Sequence, residues 1–301
     1  MDHGTGTLPD WLTKEYPFAQ NLHTLSSGVG MNFVDEGEGE PVLMLHGNPT
    51  WSYFYRNVIK ALEQKEFRCI APDHIGCGLS EKPQDYEYRL ANHIDNLESL
   101  VNHLNLENVH LVVHDWGGAI GFGWAVRNVE KVKSITILNT AAFRSSSIPL
   151  RIAVCKLPLI GEYIVRKYNA FAGAAVTMAV QNKLPEDVKR GFLYPCDNFA
   201  NRIATARFVE DIPMNTKHPS WETLQKIESK LPDLAHLRRS INIIWGMKDW
   251  CFSPMYMRRW QEIFSDAYLE RYKNAGHYLL EDAGEEIIPH MEMMLEVARS
   301  D

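Results

Sequence analysis

Three ionisable side chains follow directly on apolar segments of the sequence, and their types suit covalent catalysis. Asp115 ends the run V-V-H-D and precedes W-G-G, Asp249 ends G-M-K-D, and His277 ends N-A-G-H. A carboxylate can act as a nucleophile, a histidine can serve as a base, and a second carboxylate can hold that histidine in one tautomer. We therefore predict that Asp115 is the nucleophile, His277 the base and Asp249 the acid that orients the base.

The residues around Asp115 are typical of a nucleophile elbow, a sharp turn between a strand and a helix. Gly117 relieves crowding in the turn, and Val113 and Asp115 stand where the G-x-S-x-G form has its first glycine and its serine. The alternative is an aspartate that caps the next helix, which is a common role. A lone loop aspartate or histidine is likewise usually structural. The prediction therefore depends on the three residues taken together. Their chain order of nucleophile, acid and histidine is that of the α/β-hydrolases.

A second motif, H-G-N-P at residues 46–49, directly follows the first buried, strand-like segment. In α/β-hydrolases the loop at this place supplies one backbone N–H of the oxyanion hole, and the residue after the nucleophile supplies the other. Those donors would be the amides of Asn48 and Trp116. An ordinary turn is the alternative, since glycine, asparagine and proline are frequent turn residues.

An aspartate at the elbow indicates a different chemistry from that of serine. Serine attacking a saturated carbon would form an ether, whereas a carboxylate forms an ester whose carbonyl can be attacked by water that His277 activates. The substrates indicated are alkyl halides, epoxides or strained lactones. The indole N–H of Trp116 and the side-chain amide of Asn48 are neutral donors that suit a leaving halide ion, although a tryptophan could equally serve in packing.

The segments that must position these residues alternate between strand-like and helix-like patterns. Continuous apolar runs suit strands that are covered on both faces of a parallel sheet. They occur at residues 41–47, 68–73, 108–115, 132–140 and 240–246, and a further strand-like stretch spans 268–272. Helical spacing occurs between them, at 94–104 and 119–126. This rhythm predicts an α/β fold with a mostly parallel, doubly wound sheet flanked by helices.

The alternation stops between residues 142 and 215, where helical patterns occur without a convincing strand. Such a stretch is far longer than the usual connection of a few residues. We interpret residues 142–215 as a helical cap inserted into an α/β-hydrolase core that residues 1–141 and 216–301 form. The alternative is an additional set of ordinary crossover helices.

The composition argues against several classes of protein. The 301 residues carry a net charge of -7 without the clustered cations that bind nucleic acid. Five cysteines, none spaced as a metal site, predict reduced thiols in a cytoplasmic protein. The first twenty residues lack the apolar core of a signal peptide, and no apolar run approaches the ~20 residues of a membrane helix. We expect a small apolar substrate and no metal or organic cofactor.

With these motifs assembled, the chain resembles the haloalkane dehalogenases along nearly its whole length. The matching motifs are H-G-N-P-T (46–50), D-H-I-G-C-G-L-S-E-K-P (73–83), H-D-W-G-G (114–118), G-M-K-D (246–249) and A-G-H-Y (275–278). The resemblance implies the α/β-hydrolase fold, the triad Asp115, His277 and Asp249, and a halide clamp of Asn48 and Trp116. It also implies that a haloalkane is converted, through an alkyl-enzyme ester, to an alcohol and a halide ion.

The place of the acid separates the dehalogenase subfamilies. Some members carry a glutamate after the strand equivalent to residues 132–139, but here that strand ends in Asn139, which cannot serve as the acid, so the acid falls to Asp249. With the Asn–Trp pair, this pattern resembles the third subfamily, which is similar to the β-lactone decarboxylases of long-chain olefin biosynthesis. A decarboxylase that forms an alkene and carbon dioxide is therefore the alternative function. The subfamily tends to form large assemblies, so the resemblance leaves a homo-oligomer open.

Two further alternatives receive less support from the residues. An epoxide hydrolase normally needs two tyrosines of the cap to protonate the epoxide oxygen, and Tyr163, Tyr168 and Tyr194 are available there. A binding module on an inactive hydrolase fold would be favoured by loss of a triad residue, whereas all three residues are present.

The elbow context of Asp115 generates the first testable prediction. Asp115→Asn should lower turnover by about 10⁴-fold or more, because a neutral amide cannot form the ester. Steady-state kinetics should be accompanied by intact-mass spectrometry, which verifies that the residue has stayed asparagine, and by circular dichroism. Full activity in a folded, verified variant would contradict the assignment.

Overall fold

An eight-stranded sheet forms the centre of the protein. The computed structural model describes residues 8–145 and 148–300. The strands lie in the order β1-β2-β4-β3-β5-β6-β7-β8. Their bounds are β1 Asn21–Thr24, β2 Gly30–Glu36, β3 Glu40–Leu45, β4 Phe67–Pro72, β5 Val109–Asp115, β6 Val132–Thr140, β7 Ile241–Gly246 and β8 Tyr268–Tyr272. The pairs β1–β2 and β2–β4 are antiparallel, and the other five pairs are parallel. The mostly parallel sheet predicted from the sequence is therefore confirmed.

Helices cover both faces of this sheet. Their bounds are α1 Asp10–Glu15, α2 Arg56–Leu62, α3 Leu90–His103, α4 Trp116–Ala125, α5 Leu150–Cys155, α6 Ile160–Tyr168, α7 Ala172–Met178, α8 Glu186–Leu193, α9 Ile203–Glu210, α10 Trp221–Lys230, α11 Pro254–Ile263, α12 Leu279–Asp282 and α13 Gly284–Ser300. Apolar residues of α3, α4, α10 and α11 form one core, whereas those of α2, α8 and α13 form the other.

The central strands are apolar throughout because they contribute to both cores. Every residue of β5 is buried. Leu111 and Val113 lie in the core that contains α3 and α4, and Val112 lies in the core that contains α2 and α13. Side chains alternate between the faces of a strand, so a strand covered on both faces shows a continuous apolar run.

The first two strands are the part of the sheet that the sequence patterns did not predict. β1 has four residues, N-L-H-T, of which only His23 is buried. An edge strand with one buried position presents neither a continuous apolar run nor a clear alternation. It forms because the backbone of β2 offers it hydrogen-bonding partners, from Asn21 opposite Phe33 to Thr24 opposite Gly30.

Residues 142–215, which we call the predicted cap, contain α5 to α9 and no strand among their described positions. Their division from the core as a separate domain stays a prediction. The expected absence of a signal peptide concerns in part residues 1–7, which lie outside the described residues. Across residues 8–145 and 148–300, no helix is both long enough and apolar enough to cross a membrane.

Candidate active site

Asp115 stands at the junction of β5 and α4. Its backbone has a conformation that residues other than glycine rarely adopt. Its φ is 50° and its ψ is -124°. Glycines make room for this turn. A Cβ on Gly117 would overlap the carbonyl oxygen of Leu45, and a Cβ on Gly47 would overlap the carboxylate of Asp115 itself. The hydroxyl of Thr140 also donates to the backbone carbonyl of Asp115. The turn projects the carboxylate beyond the end of the sheet, as the elbow motif predicted.

The two oxygens of the Asp115 carboxylate have different surroundings. Oδ1 accepts a hydrogen bond of 2.6 Å from the backbone N–H of Asn48, and the backbone N–H of Trp116 also donates to the carboxylate. Oδ2 lies 3.6 Å from Nε2 of His277. Two amides therefore hold the carboxylate at the site where an oxyanion would form, while Oδ2 faces the histidine.

Asp249 and His277 are brought together although 28 residues separate them in the chain. Nδ1 of His277 lies 2.8 Å from Oδ2 of Asp249. The other oxygen of Asp249 accepts the backbone N–H groups of Cys251 at 2.6 Å and Phe252 at 3.0 Å. The carboxylate is held on both sides, so it can fix the tautomer of His277 that leaves Nε2 facing Asp115.

Asn139 is a polar residue of this site whose contribution was not predicted. Its side-chain amide donates to Oδ2 of Asp249 at 2.9 Å, and its Oδ1 accepts the backbone N–H of Gly246 at 2.7 Å. Asn139 thus connects the end of β6 to the loop that carries the acid. The sequence signal was available, since a polar residue ends an otherwise apolar strand beside the strand that precedes Asp249.

Burial and charge shift the pKa values of the two facing groups. Burial raises the pKa of Asp115 above its ordinary value of 3.8, and the positive charge of His277 and the two backbone amides offset only part of this effect. Burial alone would lower the pKa of His277. The charge and hydrogen bond of Asp249, together with the charge of Asp115, outweigh burial and raise the pKa of His277 above 6.5.

The loop that carries His277 is also bonded to its surroundings through its backbone. His114 donates from Nε2 to the carbonyl of His277 at 2.9 Å. Asp282 accepts the N–H of Gly276 at 2.7 Å and, with its other oxygen, the N–H of Gln181 in the predicted cap at 2.8 Å. The position of the histidine is therefore tied both to β5 and to the segment that follows α7.

A cavity of about 410 Å³ adjoins Asp115 and His277. Most of its lining is apolar, and helices α5 and α7 supply much of it. Trp116 also lines the cavity. The side-chain amide of Asn48 donates to the backbone carbonyl of Thr205 at 3.1 Å, and its Oδ1 is buried with no partner among the described residues. One N–H of the predicted halide clamp is thus already used within the protein.

The tyrosines considered for an epoxide hydrolase lie away from this cavity. Tyr163, Tyr168 and Tyr194 do not line it, and the first two are more than half exposed. The geometry gives that alternative no support. Within residues 8–145 and 148–300 there is also no group of three or more histidine, cysteine or acidic side chains that could hold a metal ion.

Comparison with known proteins identifies the family. The profile of the α/β-hydrolase fold matches residues 40–284. A cis-3-alkyl-4-alkyloxetan-2-one decarboxylase of Shewanella oneidensis is 42% identical, with 89% of this chain and 86% of the relative covered. One from Xanthomonas campestris is 38% identical, with 93% and 97% covered. Haloalkane dehalogenase 2 of Mycobacterium bovis is 31% identical, with 90% and 93% covered.

A solved structure supports the same fold. A mutant of the haloalkane dehalogenase DatA from Agrobacterium tumefaciens C58 superposes with a TM-score of 0.83 at 25% identity, and the match covers 92% of this chain and 96% of that one. The chain belongs to the α/β-hydrolase fold family. The resemblance to haloalkane dehalogenases and β-lactone decarboxylases that the motifs indicated is confirmed.

The bond between Asp249 and His277 generates a prediction about the pKa of the histidine and about the hydrolysis of an ester on Asp115. Asp249→Asn removes the charge that raises the pKa of His277, so this pKa should fall below its ordinary value of 6.5. An NMR titration of the histidine ring protons measures it. Hydrolysis of an ester on Asp115 should also slow by about 10⁴-fold, because the tautomer is no longer held.

The matched control for this prediction is Asp95→Asn. Asp95 is exposed and pairs with Arg127 on the surface, so the same chemical change there should leave both measurements as in the wild type. An unchanged titration of His277 in Asp249→Asn would mean that another carboxylate serves the histidine.

Proposed function

We propose that this chain is a β-lactone decarboxylase, which converts a cis-3,4-dialkyl-oxetan-2-one to an alkene and carbon dioxide with Asp115 as the nucleophile. The observation that carries the proposal is the pattern of similarity: two decarboxylases share 42% and 38% identity with the chain over most of its length, against 31% for a dehalogenase. This function is the alternative that the sequence motifs left open. The geometry of the candidate site supports the proposal.

The first step of the proposed reaction opens the lactone ring. Oδ2 of Asp115 attacks C4, the saturated ring carbon that bears oxygen, and forms an ester bond to it. The C4–O bond breaks, and its electron pair remains on the former ring oxygen, which becomes part of a free carboxylate on C3. The amide of Asn48 holds Oδ1, which becomes the carbonyl oxygen of the ester, and the amide of Trp116 also donates to this carboxylate.

The second step releases both products without water. The bond between C3 and the carboxylate carbon breaks, and its electron pair forms the double bond between C3 and C4. The C4–O bond to Asp115 breaks at the same time and returns the carboxylate to its starting state. The apolar cavity of about 410 Å³ suits this step, because an environment that hydrates a carboxylate weakly favours its conversion to neutral carbon dioxide.

Haloalkane dehalogenation is the second candidate, and one specific feature favours it. Trp116 lines the cavity beside Asp115, where its indole N–H is a neutral donor of the kind that suits a leaving halide ion. In that reaction His277 activates the water that hydrolyses the ester on Asp115. Because the pKa of His277 is raised above 6.5, the neutral base is available only toward higher pH, so hydrolysis should weaken as the pH falls through that pKa.

The binding partners, the assembly and the cellular location of the protein are part of the same proposal. We take its partners to be a small apolar substrate, with a halide ion in the second candidate reaction, and we keep a homo-oligomer as the assembly implied by the dehalogenase resemblance. All five cysteines are free thiols, which suits the proposed cytoplasmic location.

Replacing His277 separates the two reactions, because only one of them needs water. In His277→Phe, a 1-bromoalkane should leave an alkyl adduct on Asp115 that persists in intact-mass spectra, since the ester is no longer hydrolysed. A cis-β-lactone should still yield alkene, measured by gas chromatography, without accumulation of an adduct. The double variant Asp115→Asn/His277→Phe is the control and should acquire no adduct. A stalled lactone adduct in His277→Phe would contradict the water-free second step.

Replacing Trp116 tests the halide site directly. Trp116→Phe should lower bromide release by about ten-fold or more, because a lost donor to developing charge costs about 2–4 kcal/mol. Lactone turnover should suffer less, since its leaving carboxylate spreads charge over two oxygens and ring strain assists its departure. Trp250→Phe is the matched control, because Trp250 also lines the cavity but already donates its indole N–H to Met178.

Assays of the wild-type enzyme with a cis-β-lactone and with 1-bromoalkanes complete this test. Alkene from the lactone with little bromide from any bromoalkane supports the decarboxylase proposal. Bromide without any alkene would overturn it in favour of dehalogenation, and equal losses on both substrates in Trp116→Phe would assign Trp116 to shaping the cavity.

A further inference from the structure

Exposed apolar side chains are concentrated on one part of the surface. Thirteen large apolar side chains are exposed among the described residues, and seven of them lie between residues 150 and 168. We call these seven the cap face: Leu150, Val154, Leu157, Leu159, Ile160, Tyr163 and Tyr168. Single exposed apolar residues are normal on a protein surface, but a cluster of this kind marks a site of interaction.

The turn between α5 and α6 holds the most exposed residue of the cap face in a strained conformation. Leu159 is 86% exposed, and its φ is 63°. A leucine at positive φ costs free energy, and exposure of its side chain to water gains nothing in return. This free-energy cost is explained if another molecule buries the side chain of Leu159.

The opposite side of the same helix lines the cavity. Ile152 and Cys155 of α5, together with Ile148 and Pro149 just before it, face the cavity that adjoins Asp115. Leu150, which is 80% exposed, and Val154 belong to the same helix and face outward. One short helix therefore separates the apolar cavity from the apolar cap face.

The charge around the cap face is opposite to that of the whole chain. Residues 148–168 contain four basic residues and one acidic residue, whereas the chain as a whole has a net charge of -7. The acidic residue, Glu162, pairs with Arg166 at 2.6 Å. Arg151 and Lys167 are exposed and have no acidic partner within the described part of the chain. The guanidinium of Arg151 lies 5.4 Å from the ring centre of Trp250, and Arg151 also lines the cavity, so it stands between the cavity and the cap face. An apolar face flanked by cations is the pattern of a segment that lies on an anionic lipid surface.

We propose that the cap face docks on an anionic lipid surface, from which an apolar substrate enters the cavity behind α5. The apolar side chains enter the acyl region, the tyrosines lie at the level of the headgroups, and Arg151 and Lys167 contact the anionic headgroups. The contact is peripheral, since no helix of the described residues could span a membrane. The docking itself is independent of the proposed function. The delivery of a β-lactone to the cavity rests on the proposed function.

A second copy of this chain fits the cap face less well. Closed dimers usually pair the same patch of both subunits around a two-fold axis. Both copies would then present the same excess of basic residues to the interface, and like charges at an interface are unfavourable. A lipid surface with anionic headgroups has the opposite charge.

Sedimentation with vesicles tests the docking. Wild-type protein should sediment with vesicles of phosphatidylcholine containing about one-third phosphatidylglycerol, and less with phosphatidylcholine alone. Leu150→Asn/Leu159→Asn should lower the partition coefficient about ten-fold or more, because two apolar side chains no longer enter the lipid. Asparagine tolerates positive φ, so the turn should keep its fold. Leu22→Asn is the matched control, since Leu22 is 62% exposed on β1, outside the predicted cap, and it should bind like the wild type.

A charge variant tests the electrostatic part separately. Lys167→Gln should weaken binding to the anionic vesicles about five-fold and leave binding to neutral vesicles unchanged. Lys230→Gln, which alters an exposed lysine at the end of α10, should have no effect. Asp115→Asn should bind vesicles like the wild type, so the docking can be measured whether or not the proposed reaction occurs.

Three results would overturn the docking. The first is a wild-type protein that stays in the supernatant with anionic vesicles, and the second is a Leu150→Asn/Leu159→Asn variant that binds as the wild type does. The third is a wild-type dimer in light scattering that this variant dissociates, which would assign the cap face to a second copy. Vesicle binding without any alkene from a vesicle-held lactone would leave the docking intact and count only against the proposed function.

Discussion

The positive φ of Asp115 is the constraint on which the rest of the site depends. Such a conformation costs about 1–3 kcal/mol for a residue with a side chain and persists only where the surroundings enforce it. Here β5 is paired on both sides by parallel strands, and α4 begins at the next residue. Gly47 and Gly117 leave the space that the turn needs. The strand and the helix thereby hold a carboxylate at the edge of the sheet in one orientation.

This orientation separates the roles that the two carboxylate oxygens can take. The backbone amide of Asn48 holds Oδ1, and Oδ2 faces His277. From the histidine, hydrogen bonds continue to Asp249 and then to Asn139 at the end of β6. Neighbouring parallel strands end at the same edge of the sheet, so one short chain of side chains can connect β5, β6 and the loop after β7.

The predicted cap is bonded to residues that are neighbours of the triad. Asn48 donates to Thr205, Trp250 donates to Met178, and the backbone N–H of Tyr278 donates to the carbonyl of Ala179. Each of these bonds joins a residue that is part of the candidate site, or adjacent to it, to a helix or turn that lines or supports the cavity. A change in the position of α7 would therefore alter both the shape of the cavity and the position of His277.

The sequence by itself determined the mostly parallel sheet, the elbow and the three ionisable residues, because buried strands and a strand–turn–helix with small residues leave strong local patterns. It did not predict β1, whose pairing depends on β2, or the contribution of Asn139, whose partner lies 110 residues away. The tertiary structure alone decided that the amide of Asn48 donates to Thr205 and that no distant segment of the described chain covers the seven apolar side chains of the cap face. These features arise from the packing of distant segments, and neither hydrophobic period nor local motif records which distant segment a side chain will meet.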